Sequence, residues 1–152
     1  MLRRILVSLS SWLVLSSALC GAAFAAAPGV EIHHARSPAT PPGSKVAAVY
    51  LEVTAVQPDR LLGASTPVAA RVEIHTTSEV DGVMRMRPIE SAQVTPDEPL
   101  KLEPGGMHLM LMELEEPLRM HAQFPLTLHF QHAGEVRVEV QVVAPGGGHA
   151  HH

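Results

Sequence analysis

Cysteine and aromatic residues are nearly missing from this chain. Among 152 residues there are one cysteine, one tryptophan, one tyrosine and three phenylalanines. One cysteine cannot build a disulfide framework, and Cys20 lies in a segment that the sequence marks for removal. Arg3 and Arg4 give a short basic start. Ile5 to Leu19 is an apolar run too short and too serine-rich to span a membrane, and small residues follow in "CGAAFAAAPG". Ala23-Phe24-Ala25 fits the small-x-small rule of signal peptidase, so residues 1–25 read as a signal peptide cleaved before Ala26, and the protein as periplasmic. Lipid anchoring through Cys20 is the weaker alternative, because such signals want a small residue before the cysteine and Leu19 is large. Cleavage removes Cys20 and Trp12 together. The mature chain then has no thiol for catalysis, for redox exchange or for a thiolate metal site.

Positive charge is also scarce. Without Arg3 and Arg4, nine basic residues face fifteen acidic ones, which argues against a nucleic-acid partner. No later apolar run is long enough for stable membrane insertion. Long segments of helical period are missing too. Two-residue alternation takes their place, and the mature sequence reads as all-β. In "EVRVEVQVV" Val136, Val138, Val140 and Val142 share one face; "LTLHF" turns Leu126, Leu128 and Phe130 inward, "VYLEV" turns Val49, Leu51 and Val53, and "RVEIH" turns Val72 and Ile74, leaving Arg71, Glu73 and His75 outside. Further strands are expected near Val30–His33, Val83–Arg87, Pro99–Leu102 and Met107–Glu113, separated by "TPPGS", "QPDR", "VDG", "TPDEP", "EPGG" and "HAG". About eight short strands at this spacing predict a single-domain β-sandwich with Greek-key connections over residues 26–144. Residues 145–152, rich in Gly and His, read as a flexible tail.

Histidine and methionine are what the chain has in quantity: ten and seven, of which cleavage leaves ten and six. They concentrate in "MHLMLM", Met107 to Met112. In a strand His108, Met110 and Met112 share one face, and Met107, Leu109 and Leu111 the other, which has the character of a core face. Upstream, Met84 and Met86 share a face in "VMRMR". If Asp81-Gly82 is a two-residue turn, Thr77 pairs with Met86 and His75 with Pro88, and His75 and Met86 become diagonal neighbours on one face. A thioether is soft and uncharged. It has little affinity for Mg²⁺, Ca²⁺ or Zn²⁺ and suits Cu(I), with imidazole as companion ligand. Two His and two Met add no charge to Cu(I), and thioethers do not form disulfides in an oxidising compartment.

His75, ten residues, Met86, twenty-one residues, His108, one residue, Met110: this spacing resembles the H-x10-M-x21-H-x-M signature of the PCuAC-type periplasmic copper chaperones. "DRLLGASTPVAARVEIH" (Asp59–His75), "GVMRMR" (Gly82–Arg87), "LEPGGMHLMLMEL" (Leu102–Leu114) and "PLTLHF" (Pro125–Phe130) are similar to that family as well. The resemblance runs from about Val30 to Val143. It implies a cupredoxin-like β-sandwich that binds Cu(I) through His75, Met86, His108 and Met110. It also implies delivery of copper to respiratory oxidases, notably the binuclear CuA centre of cytochrome c oxidase, directly or through a Sco-type copper protein. Two departures touch no ligand: "HHAR" (His33–Arg36) stands where members often have "AWAR", and "VQP" (Val56–Pro58) replaces a frequent Asn-Gly before "DRL".

Taken singly, Met110 would be a core filler and His75 a surface histidine; the four-residue spacing is what turns the reading to metal. Met84 and Met112 have the parity of spare ligands and are read as an apolar rim. Met107 is assigned to the core, and Met120, His121, His129 and His132 to the surface. The tail histidines His149, His151 and His152 could form a second, Cu(II) site or only an adventitious one, and His33 and His34 could join it. The expected function is a Cu(I) metallochaperone and not an enzyme, since no nucleophile–base set or open metal triad stands out. A copper storage or resistance protein of the same fold is the alternative. An electron-transfer cupredoxin is less favoured, because blue copper needs a cysteine thiolate.

Overall fold

The computed structural model describes residues 29–146, and the signal-peptide assignment and the tail histidines lie outside them. Within them the chain forms ten strands and no helix: β1 (Val30–Pro38), β2 (Val46–Ala55), β3 (Asp59–Ser65), β4 (Ala69–Val80), β5 (Val83–Ile89), β6 (Ala92–Val94), β7 (Leu100–Leu102), β8 (His108–Leu114), β9 (Gln123–Phe130) and β10 (Gly134–Val143). No helix there is long and apolar enough to cross a membrane. The strands follow one hydrogen-bonded path, β5-β4-β8-β2-β1-β10-β9-β3-β6, with β7 beside β2. β2 is the corner of this path. Its first half, Val46–Val49, pairs with β8, whereas Tyr50 and Val53 further along pair with Arg36 and Ile32 of β1. The path thus folds over a single core to which β2, β8, β9 and β10 all contribute.

The alternating runs bury the residues that their period assigns inward. Val49, Leu51 and Val53 of β2, Leu126, Leu128 and Phe130 of β9, and Val136, Val140 and Val142 of β10 are buried, and Val138 packs partly against them. Each fully buried Leu or Val contributes about 1.5–3 kcal/mol relative to an exposed one. A one-residue slip would move each set to solvent, so the period sets the register.

Two strands go beyond the eight expected. β3 was hidden because its "DRLLGAS" follows a Pro58 turn signal and carries Gly63 in mid-strand, where the pairing with β9 shifts register after Leu61. β6 has three residues, too few to display a period.

Turn chemistry sets the geometry near the His/Met cluster. Asp81 and Gly82 both have positive φ, 54° and 74°, and Val80 pairs with Val83. This is the type I′ hairpin that Asp-Gly favours. At the other side of β4, the "EPGG" segment closes with Gly106 N donating to Glu103 O at 3.1 Å, with Gly105 at φ 81°. Pro and Gly at the two central positions are the signature of a type II turn.

Asp59 fastens the β9–β10 hairpin from outside. It is 7% exposed and accepts backbone N–H groups from Arg60, His132 and Ala133 at 2.7, 3.0 and 2.9 Å. Burial alone would raise its carboxyl pKa, but these three donors together hold it below the usual carboxylate value. A lowered folded-state pKa stabilises above the unfolded pKa and loses that contribution as pH falls through the folded one. Asp59→Asn is therefore expected to cost about 2 kcal/mol near neutrality. The gap to the native chain should stay constant above about pH 5 and narrow below about pH 4, as followed by urea unfolding across pH. A gap independent of pH would show that the carboxylate charge plays no part.

Candidate metal centre

The four candidate residues come from three adjacent strands, β5, β4 and β8. In the β4–β8 ladder His75 lies directly opposite His108, with ring centroids 5.9 Å apart. Met110 lies opposite Glu73, one diagonal step from His75. In the β4–β5 hairpin Thr77 faces Met86 and His75 faces Pro88, the pairing that a two-residue Asp-Gly turn requires, so Met86 is a diagonal step from His75 on the other side. Such steps are about 7–8 Å, within reach of long side chains. All four residues belong to the face of β4, β5 and β8 opposite that of Leu109 and Leu111, both fully buried.

The two imidazoles are sheltered. His108 is 4% exposed and the His75 side chain 12%, whereas Met86 on the edge strand is 52% exposed. The cluster thus has two covered imidazoles, a half-buried Met110 and an open end at Met86. Tyr50 packs edge-on against His108 at 6.4 Å.

Hydrogen bonds assign the ring tautomers. His75 Nε2 lies 2.8 Å from Glu73 Oε2. The hydrogen bond from His75, and then that from Arg71, lowers the Glu73 carboxyl pKa, so Glu73 is ionised and can only accept. Nε2 of His75 therefore carries the proton, and Nδ1 keeps its lone pair. His108 Nδ1 lies 3.2 Å from the Gly106 carbonyl, which also only accepts, so His108 keeps its lone pair on Nε2. His75 Nδ1 is buried with no hydrogen-bond partner. A buried polar atom left unpaired costs about 1–3 kcal/mol, and a ligand that takes its lone pair would remove that cost. Among the described residues no group of three or more His, Cys, Asp or Glu side chains is placed to hold a metal; the further donor types that the ladders bring beside the two imidazoles are thioethers.

Residues 30–142 match the family model LpqE-like, described as "Putative lipoprotein LpqE-like". The chain belongs to the LpqE-like family. A curated relative with the same kind of description, Lxx21020 of Leifsonia xyli subsp. xyli (strain CTCB07), is 29% identical over 117 residues, covering 76% of this chain and 70% of that protein. Among solved structures, the apo PCuAC domain of PmoF2 is 27% identical with a TM-score of 0.67, over 82% of this chain and 98% of that domain. The solution structure of Cu(I)-DR1885 from Deinococcus radiodurans is 28% identical with a TM-score of 0.59, over 82% of this chain and 84% of that one. The fold of this LpqE-like chain is the all-β, cupredoxin-like fold of the PCuAC domains, as the family resemblance implied.

The remaining His and Met residues of the LpqE-like chain fall outside this cluster or at its border. Met84 (57% exposed) and Met112 share its face, opposite Glu79 and Arg71, while Met107 packs partly against the core. Met120 and His121 lie in the turn before β9, and His132 in the β9–β10 turn. His129 is on the outer face of β9, 3.1 Å from Ser65 Oγ. His33 is bonded to Thr54 Oγ1 at 3.0 Å, and His34 has a φ of 55° at a β1 bulge. Two contributors to the site went unread in the sequence. Tyr50 needed the β2–β8 pairing. Glu73 stands two residues before His75 in the same strand, a spacing that was legible as a same-face neighbour.

Proposed function

We propose that this chain binds one Cu(I) ion as cargo, through His75 Nδ1, His108 Nε2 and the thioethers of Met86 and Met110, and passes it on outside the cytoplasm. The observation that carries this reading is the buried, unpartnered Nδ1 of His75, on a ring directly opposite a second sheltered imidazole, with Met86 and Met110 each one diagonal step away in the ladders. Two neutral imidazoles and two neutral thioethers leave the ion its single positive charge. That set favours soft Cu(I) over the harder divalent ions. The exposed end at Met86 suits transfer, because an incoming ligand can displace the outermost thioether first. An electron-transfer blue copper site needs a cysteine thiolate, and residues 26–152 contain no cysteine. The Cu(I)-bound structure of DR1885, 28% identical to this chain, supports copper as the ion.

The proposed destination is a respiratory oxidase, notably the CuA centre of cytochrome c oxidase, directly or through a Sco-type protein. Export rests on the segment before Ala26, and the lipoprotein descriptions of its relatives fit a protein outside the cytoplasm. The mass of the exported chain tests the cleavage: it should begin at Ala26, and a lipid on Cys20 would overturn that point.

Anaerobic titration of the chain from Ala26 against a competing Cu(I) chelator is expected to show one tight, colourless site, with micromolar or stronger affinity (about −8 kcal/mol or beyond). Affinity should fall on acidification, because protons compete for the imidazole lone pairs. The main site should persist when residues 149–152 are deleted; loss of all binding with the tail would refute the assignment. Delivery and storage separate in a deletion strain at low copper. Loss of oxidase activity that added copper restores indicates delivery, and unchanged activity indicates storage.

A further inference from the structure

We propose that Glu73 is the positioning residue of this site: it selects the tautomer of His75 and thereby makes Nδ1 the metal-binding nitrogen. The proposal rests on the reading of His75 as a copper ligand. A free imidazole can carry its proton on either nitrogen, and only the deprotonated one can bind a metal. In this chain Nε2–H is committed to Glu73 Oε2 at 2.8 Å, and the orphaned nitrogen is Nδ1. His108 is committed the opposite way, Nδ1–H to the Gly106 carbonyl at 3.2 Å. The two rings therefore present unlike nitrogens across one ladder position.

Glu73 does not form a three-ligand group with His75 and His108, and each of its carboxylate oxygens already accepts a hydrogen bond. Oε1 accepts from Arg71 Nε at 3.1 Å while Oε2 accepts from His75. Arg71 in turn donates Nη1 to Glu113 Oε1 at 2.6 Å. The string Glu113–Arg71–Glu73–His75 runs along one face, since Arg71, Glu73 and His75 are alternate residues of β4. Glu113 joins it through a left-handed backbone, φ 57°, which breaks the alternation of β8 and returns Leu114 to the interior. The Arg71 guanidinium lies between the Glu73 and Glu113 carboxylates and offsets part of their charge, and it holds Glu73 in place as a fixed acceptor for His75. Carboxylates that hold the second nitrogen of a ligand histidine commonly set its orientation and affinity in this way.

Two readouts test this, one of them independent of copper. Long-range ¹H–¹⁵N spectra of the metal-free chain should show His75 as the Nε2–H form. Glu73→Ala should mix in the Nδ1–H form, and Glu73→Gln, whose amide oxygen accepts the same proton, should retain the native form. Cu(I) affinity measured by chelator competition should fall about tenfold or more in Glu73→Ala. Glu73→Gln should stay within about threefold of the native chain, well short of that loss. An unchanged tautomer in Glu73→Ala overturns the proposal, whether or not affinity falls; a fall alone would assign the effect to charge. A His75→Ala control separates the two readings. If it leaves affinity unchanged, the copper assignment of His75 fails, while the spectra still decide whether Glu73 sets the tautomer.

Discussion

His108→Ala is expected to lower Cu(I) affinity about 100-fold or more. Structural zinc sites of four ligands bind with roughly 10–16 kcal/mol in total, and on that scale one ligand of four accounts for on the order of 3 kcal/mol, or about 100-fold. His108 is also sheltered, and its loss removes a ring that Tyr50 packs against and a hydrogen bond to Gly106. Some loss of stability will accompany it. Met86→Leu is the cleaner companion, because Met86 is half-exposed on the edge strand β5 and leucine keeps its bulk. It should lose the thioether and weaken Cu(I) binding by at least about tenfold, with unfolding unchanged within about 0.5 kcal/mol. Both variants are compared by anaerobic competition titration beside a urea melt. If both retain native affinity, the four-ligand assignment is wrong.

Leu111→Ala is expected to produce the largest effect on stability and almost none on copper. Leu111 is three residues beyond His108 on the same strand, is fully buried, and pairs with Ala47 of β2 and Val72 of β4. Truncating a fully buried leucine costs about 2–5 kcal/mol, and a site enclosed by strands on both sides collapses poorly into the space. A loss of about 3–4 kcal/mol would lower the melting temperature by roughly 10–15 °C in a domain of this size. The folded fraction should keep native Cu(I) affinity within about twofold, because the change lies on the opposite face of β8 from His108 and Met110. Met112→Ala, on the half-buried outer face, should cost less than about 1.5 kcal/mol. Similar melting temperatures for Leu111→Ala and Met112→Ala would contradict the division of β8 into a core face and a site face.

That division is legible in the sequence. Strand parity separates His108 and Met110 from Leu109 and Leu111, and Asp81-Gly82 sets the hairpin that brings Met86 beside His75. Both follow from local rules: side chains alternate along a strand, and the preferred turn of Asp-Gly leaves one register open. The spacing of His75, Met86, His108 and Met110 was legible as a family signature, and the fold it implied is the one observed. β3 was not legible, because Gly63 and Pro58 spoil the local period, and its strand character comes from pairing with β9 and β6.

Sequence by itself determined the strand faces and the hairpin turn, because each depends on neighbours a few residues apart, and it named the four candidate donors by their spacing. Tertiary structure alone decided that His75 and His108, thirty-three positions apart, stand directly opposite each other. It also decided that Tyr50 covers one ring, and that each ring is held by a different nitrogen. Those features depend on which strands pair and on what lies across a ladder, and pairing between distant segments is settled by burial of the whole core rather than by any local pattern.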